Sequence, residues 1–327
     1  MTGGPGILAL GLTASLVAGA SPAWAWGNKG HAMSARVAAH ALPPEVPAFL
    51  READIELGYL CPEPDRWRSE AREPALRGAT DRDHGFRVED VPFPLPPQRY
   101  LYFQRMLATP RPGGGTFGYQ DLGFAPYAIA ELAERLTDGF MRWRNARAGT
   151  PAEKRIKRQI EANVVYTAGV LGHFVTDTAQ PLHTTIHVNG WNPRVANPRG
   201  YVGQDIHARF ETTYVNAAME ESDFAPLVGP PRVVGPWLEA ALAHIHATHA
   251  HVEEVYALDQ AHPFGSGKEG AAARRFTAER LAAGAQALRD FWYSAWVRSA
   301  ALAEEAARSP APDPEVYDPS RSRRTSR

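Results

Sequence analysis

Residues 172–187 read GHFVTDTAQPLHTTIH. His173 and Asp177 are four apart, so on a helix both side chains leave the same face one turn apart. An imidazole and a carboxylate so placed can chelate a metal ion. Pro181 ends the helix and sets His183 on the turn that follows. IHARFE, residues 206–211, repeats the pattern with His207 and Glu211. A single pair of this kind is more often a surface salt bridge. Both pairs here have apolar neighbours (Leu171, Phe174 and Val175; Ile206 and Phe210). Unpaired carboxylates buried there would be costly, whereas zinc would neutralise them. EPDRWR, residues 63–68, adds Asp65 in a proline-rich turn, with Arg68 three residues later. DRDHGFRVED, residues 81–90, adds His84 among acids. Taken alone, these last two segments are ordinary loops.

The elements that must position these groups are helical. Apolar residues recur at helical spacing over Ser34–Leu42, Pro126–Arg147, Pro151 to about Ala179, Asp205–Glu220, Trp237–Leu258 and Ala271–Ala307. In the third of these, Pro151 suits a first helical turn, and Ile156, Ile160, Val164, Leu171 and Val175 mark a buried face. Segments 61–125, 184–203 and 225–236 are rich in Pro, Gly, Asn and charge. No alternating strand pattern and no internal repeat stands out. The expected fold is all-α, a helical single domain with long irregular loops, and loops of that length are usually functional or organised by metal.

The 327 residues carry 35 Lys and Arg against 36 Asp and Glu, so no global field points to nucleic acid or to an acidic membrane. One cysteine, Cys61, leaves no internal disulfide, so stability must come from the core or from bound metal, and 12 histidines make metal an option to test. Residues 1–25 are small and apolar, and Ala23-Trp24-Ala25 has the pattern of a signal-peptidase site. We read 1–25 as a signal peptide and expect a secreted or periplasmic protein beginning at Trp26. The functional domain is expected over 26–307, and 308–327 is a Pro/Ser/Arg tail expected to be disordered.

Three features occur in order: Trp26 directly behind the cleavage signal, the His-x-x-x-Asp-x-x-Gln-Pro-Leu-His block at 173–183, and the later His-x-x-x-acid pair at 207–211. In these the chain resembles the secreted zinc-dependent phospholipases C and the single-strand-specific nucleases of the S-one/P-one type. The resemblance runs from Trp26 to about Glu211. It implies three zinc ions. Asp65, His84, His173 and Asp177 would hold the first, and His183, His207 and Glu211 the second. The α-amino nitrogen and carbonyl oxygen of a mature N-terminal Trp26 would hold the third with His31, Asp177 bridging to the first. Asp81 or Asp83 could replace Asp65, because loops surround it. The resemblance further implies P–O bond hydrolysis by a zinc-activated hydroxide, with Asp65, Arg68 and Asp177 as catalytic residues.

Two substrate classes follow. Short spacings from Trp26 to His31 and from His183 to His207, together with Arg68, resemble the nucleases. The expected partner is therefore single-stranded nucleic acid or nucleotides, with a 3′-nucleotidase activity also open. Glu211 resembles the phospholipases, which makes a phospholipid headgroup the alternative. The nucleases place a base-stacking aromatic directly after the metal histidine and an acid two residues later; here Gly85 and Arg87 stand there. Phe86, Glu89 and Asp90 are substitutes to examine. A non-catalytic zinc-stabilised binding protein is the third reading. His244, His246, His249 and His251 spread over more than one helix face and are expected on an exposed polar helix. Asn189, Trp191 and Asn192, which follow His187, are expected at a pocket rim. Phe117, Tyr119, Phe124 and Tyr127 flank a glycine loop, either as a rim or as packing.

Overall fold

The computed structural model describes residues 26–68, 74–112 and 114–308. The signal-peptide reading of 1–25 and the tail reading beyond Arg308 lie outside the described residues. The described chain is all-α, with no sheet and an isolated bridge between Pro110 and Thr116. No described helix is long and apolar enough to cross a membrane.

The chain enters α1 (Gly27–His40) through two left-handed residues, Trp26 and Gly27. Short helices α2 (Ala48–Arg51), α3 (Asp54–Leu60), α4 (Glu63–Arg66) and α5 (Pro74–Thr80) follow, then α6 (Arg99–Leu107). Two long helices, α7 (Ala125–Asn145) and α8 (Pro151–Asp177), precede a broken one. That broken helix is α9 (Ile206–Ala208), a π-helical stretch Arg209–Tyr214, and α10 (Val215–Ala218). The chain closes with α11 (Glu221–Phe224), α12 (Trp237–His249), α13 (Val252–Ala261) and α14 (Ala271–Arg308). The 61–125 segment is thus less irregular than its composition suggests, because α6 buries Tyr102 and Met106 in a satellite core.

α8 is the axis of the molecule, packing against α7, α14, α3 and α1. Thr150 caps it, accepting from the Glu153 N–H while Glu153 accepts in return from the Thr150 N–H, and Pro151 opens the first turn. Its first half is largely solvated, and Ile156, expected on the buried face, is 40% exposed. From Ala168 to Asp177 every residue is buried. The close approach needs Gly169: a Cβ there would lie 2.4 Å from the Leu60 Cβ. α3 therefore sits directly on α8, which brings Cys61 and then α4 to the level of His173. Pro181 stops the helix by forcing a 3₁₀ turn, Pro181–His183.

The other expected helices have their own corrections. Trp237–Leu258 is two helices joined at Ala250-His251. α12 is not an exposed polar helix: Ile245 is fully buried, and His244 and His249 engage the carbonyls of Val175 and Thr184. Phe117, Phe124 and Tyr127 pack with Phe86 and Tyr102 in the satellite core rather than forming a rim.

Candidate metal centre and cleft

α1, α4, the 81–84 turn, the end of α8, the 181–183 turn and the α9–π segment converge on one buried point. His31, Asp65, His173, Asp177 and Glu211 are fully buried, and His84, His183 and His207 nearly so. Three sets of donor atoms each lie within 4.8 Å of one another: His31, His173 and Asp177; Asp65, His84 and His173; His183, His207 and Glu211.

In the first neighbourhood, His84 Nδ1 stands 2.9 Å from His173 Nε2 and 3.1 Å from Asp177 Oδ2. His173 Nε2 is 3.3 Å from Asp177 Oδ2, and Asp65 Oδ1 is 3.8 Å from both imidazoles. Asp177 turns its other oxygen, Oδ1, to His31 Nε2 at 3.2 Å, and so joins the two neighbourhoods. In the third, His183 Nε2, His207 Nε2 and Glu211 Oε2 form a triangle with edges of 3.1, 3.4 and 3.0 Å.

Surrounding groups orient these rings. His173 Nδ1 donates to the Cys61 carbonyl, His183 Nδ1 to the His84 carbonyl and His207 Nδ1 to the Val188 carbonyl. His31 Nδ1 meets Thr176 Oγ1 at 2.7 Å, and that hydroxyl donates to the Gly172 carbonyl, so the imidazole is the donor. In each case the opposite nitrogen, Nε2, is turned to the centre as a lone pair. Glu211 is held by the Gln180 amide, whose own oxygen accepts from the Leu182 N–H. The His207 N–H donates to Asn189 Oδ1.

Two lone pairs 3.1 Å apart beside a carboxylate repel unless a proton or a cation lies between them. The side chains respond accordingly. Burial pushes His183 down, but Asp177 and Glu211 outweigh it and hold it up at about 9. Burial drives His84 down to about 4 despite Asp177, and His173 well below its ordinary value. Burial lifts Asp65 to about 7, partly countered by His31. Burial would raise Asp177 and Glu211 too, but their histidines keep both low. His31 Nε2, Asp65 Oδ2, Asp177 Oδ1 and Glu211 Oε1 are buried without a hydrogen-bond partner. Orphaned donors and acceptors of this kind, facing one another, fit bound metal ions. The three groups can hold them.

All eight expected ligand side chains come together. Asp65 is the carboxylate at the centre; Asp81 pairs with Arg68 and Arg82, and Asp83 with Arg99. Trp26 is buried, its indole donating to the Thr176 carbonyl at 2.7 Å and lying 5.4 Å from the Phe210 ring. It wedges between the end of α8 and the segment carrying Glu211.

A cleft of about 220 Å³ opens over His84, His183 and His207, with Arg68, Arg82 and Arg87 on its walls. Its floor contains Gly85, where a Cβ would stand 2.9 Å from the His183 carbonyl oxygen. An aromatic at that position is sterically excluded. Nor do the three substitutes present a stacking face. Phe86 is 3% exposed and packs near Tyr102, Glu89 braces Thr185 and the Ile186 N–H, and Asp90 pairs with Arg194. Of the expected rim, Asn189 lines the cleft, and Asn189, Trp191 and Asn192 line the pocket beside it, the Trp191 ring stacked on His187 at 3.8 Å. Arg82 and Gln180 escaped the sequence reading. Gln180 had a signal, its position directly before Pro181 between two ligands. Arg82 had none, since its role depends on how the 81–84 turn folds over the metal groups. No protein-family model matches the chain, and no curated protein matches it either.

Proposed function

We propose that the chain is a zinc-dependent phosphodiesterase of the nuclease type, acting on single-stranded nucleic acid or nucleotides. One observation carries the reading: three adjoining buried donor groups lie beneath a cleft walled by arginines, which His84, His183 and His207 reach. Donor atoms 2.9–3.8 Å apart suit a small ion with bonds of about 2 Å at tetrahedral angles, which requires edges of roughly 3.3 Å. A donor set of imidazole and carboxylate without thiolate also fits zinc. Asp65, His84, His173 and Asp177 would hold one ion, His183, His207 and Glu211 a second, and His31 with Asp177 and a mature N-terminal Trp26 a third. Zinc there would supply Lewis-acid stabilisation of a phosphoryl group and activation of water near neutral pH.

The chain's own residues supply the rest. Asp177 divides its two oxygens between neighbouring groups, which sets their spacing. Arg68 reaches from Asp65 to Asp81, and burial is outweighed by those carboxylates in keeping it cationic. With Arg82 it presents planar donors to phosphate oxygens at the cleft mouth. Leu182 and Leu122 line the cleft with apolar surface that limits water.

Glu211 and the excluded stacking aromatic support phospholipase C as the second reading. The arginine walls favour an anion over a quaternary ammonium headgroup. The test is a chain beginning at Trp26, its zinc stoichiometry measured and its turnover compared on single-stranded nucleic acid and on phosphatidylcholine. Faster cleavage of nucleic acid is expected. Faster release of phosphocholine would install the second reading, and no turnover with zinc bound would make the protein a non-catalytic zinc-binding one.

A further inference from the structure

Beside the cleft lies a second pocket of about 380 Å³, whose walls include Arg87, Arg111 and Arg194. It adjoins the cleft, since Arg87, Val188 and Asn189 line both. Arg87 donates to the Asp121 carbonyl and lies 3.8 Å from its carboxylate, which Arg111 meets at 3.1 Å. Arg194 binds Asp90 through one nitrogen at 3.1 and 3.2 Å. Three guanidinium groups thus share two carboxylates, and one positive charge is left over. Each commits a single terminal nitrogen to these contacts, leaving further N–H groups of a planar fork. Burial lowers the pKa of Arg87, and Arg82 and Arg194 act in the same direction against Asp90 and Asp121.

We infer that this pocket binds a second phosphate of the same substrate, a flanking or terminal phosphate of an oligonucleotide whose scissile group lies in the adjoining cleft. The inference rests on the phosphodiesterase reading and narrows its substrate class. A phosphate matches the charge left over and the forked donors. A choline-type headgroup would meet three cations and no free carboxylate. The pocket would also supply affinity that the excluded aromatic at Gly85 does not.

The experiment has two arms on the zinc-loaded chain beginning at Trp26. In the first, kcat/KM is measured for a dinucleoside monophosphate and for the same compound carrying a 5′- or 3′-terminal phosphate. One phosphorylated form is expected to be preferred roughly tenfold or more, the range of hydrogen bonds to charged groups. The preference is expected to fall toward unity in Arg111→Gln, which alters a partly exposed side chain. Arg194→Gln is the companion variant. It leaves Asp90 unpaired, so the Arg111 variant carries the test if this one fails to fold. In the second arm, inorganic phosphate binding is titrated by calorimetry, and one binding event is expected to vanish in Arg111→Gln. The binding arm decides. If no diester turns over but the variant loses phosphate binding, the subsite stands and the phosphodiesterase reading falls. If diesters turn over while binding and preference ignore the substitution, the subsite is refuted and the enzymatic reading stands.

Discussion

Gly169→Ala tests how the fold builds the metal centre from a distance. The new Cβ would lie 2.4 Å from the Leu60 Cβ, an atom fixed to the backbone that no rotamer change can move away. Carbon atoms in contact need roughly 3.5–4.0 Å, so α3 and α8 must part by roughly 1.1–1.6 Å. Overpacking of this kind typically costs about 1–3 kcal/mol, and in a chain of this size each kcal/mol lowers Tm by about 2–4 °C or less. The displacement passes directly to the site. Cys61, one residue past α3, accepts from His173 Nδ1 at 3.0 Å, and Asp65 follows within a turn of it. Shifting Asp65 by about an ångström exceeds the roughly 0.2 Å tolerance of a metal site, and loss of an orienting contact costs about 10–100-fold in metal affinity. The variant is therefore expected to lose metal from the Asp65/His84/His173 group while keeping it at His183, His207 and Glu211, which lie on elements other than α3, α4 and α8. Dialysis against a weak chelator, followed by elemental analysis and a thermal melt by circular dichroism, reads both effects. An unchanged melt with full metal content would refute the packing argument. Loss of all metal at once would refute the independence of the two groups.

Three further outcomes are expected. His183→Ala should remove one metal ion and lower diester turnover by at least about 100-fold with helix content kept, since the ligand lies on a turn; unchanged kinetics and metal content would show the site misplaced. A form with one extra residue ahead of Trp26 should bind one zinc fewer and lose most activity, as mass spectrometry of the native protein and activity assays can establish; full activity in that form would sink the N-terminal-ligand idea. The pH dependence follows from His183. Its folded-state pKa is raised to about 9, so in the metal-free protein its protonation stabilises the fold fully below its ordinary value near 6.5 and less as pH rises through 9. Metal competes with that same proton, so affinity at the His183/His207/Glu211 group should rise about tenfold per pH unit up to about 9; flat chelator-competition curves between pH 6 and 8 would contradict this.

Features that depend on chain-local geometry were readable without a structure. His173 with Asp177 and His207 with Glu211 needed only helical periodicity, because an i,i+4 pair shares a face wherever the helix lies. The same holds for the cap at Thr150-Pro151 and the stop at Pro181, whose signals act within a few residues. Tertiary structure decided what depends on long-range closure. Asp65 rather than Asp81 or Asp83 reaches the centre because Gly169 admits α3 against α8, a contact over 100 residues apart that no local pattern encodes. Phe86, a candidate stacking aromatic, and Phe117, Phe124 and Tyr127, which the sequence left open as rim or packing, are core because α6 closes over them. The pocket of Arg87, Arg111 and Arg194 is dispersed over more than 100 positions in a near-neutral chain. Its charge concentrates only when three separate loops fold together, since electrostatic potential follows distance in space and not order along the chain.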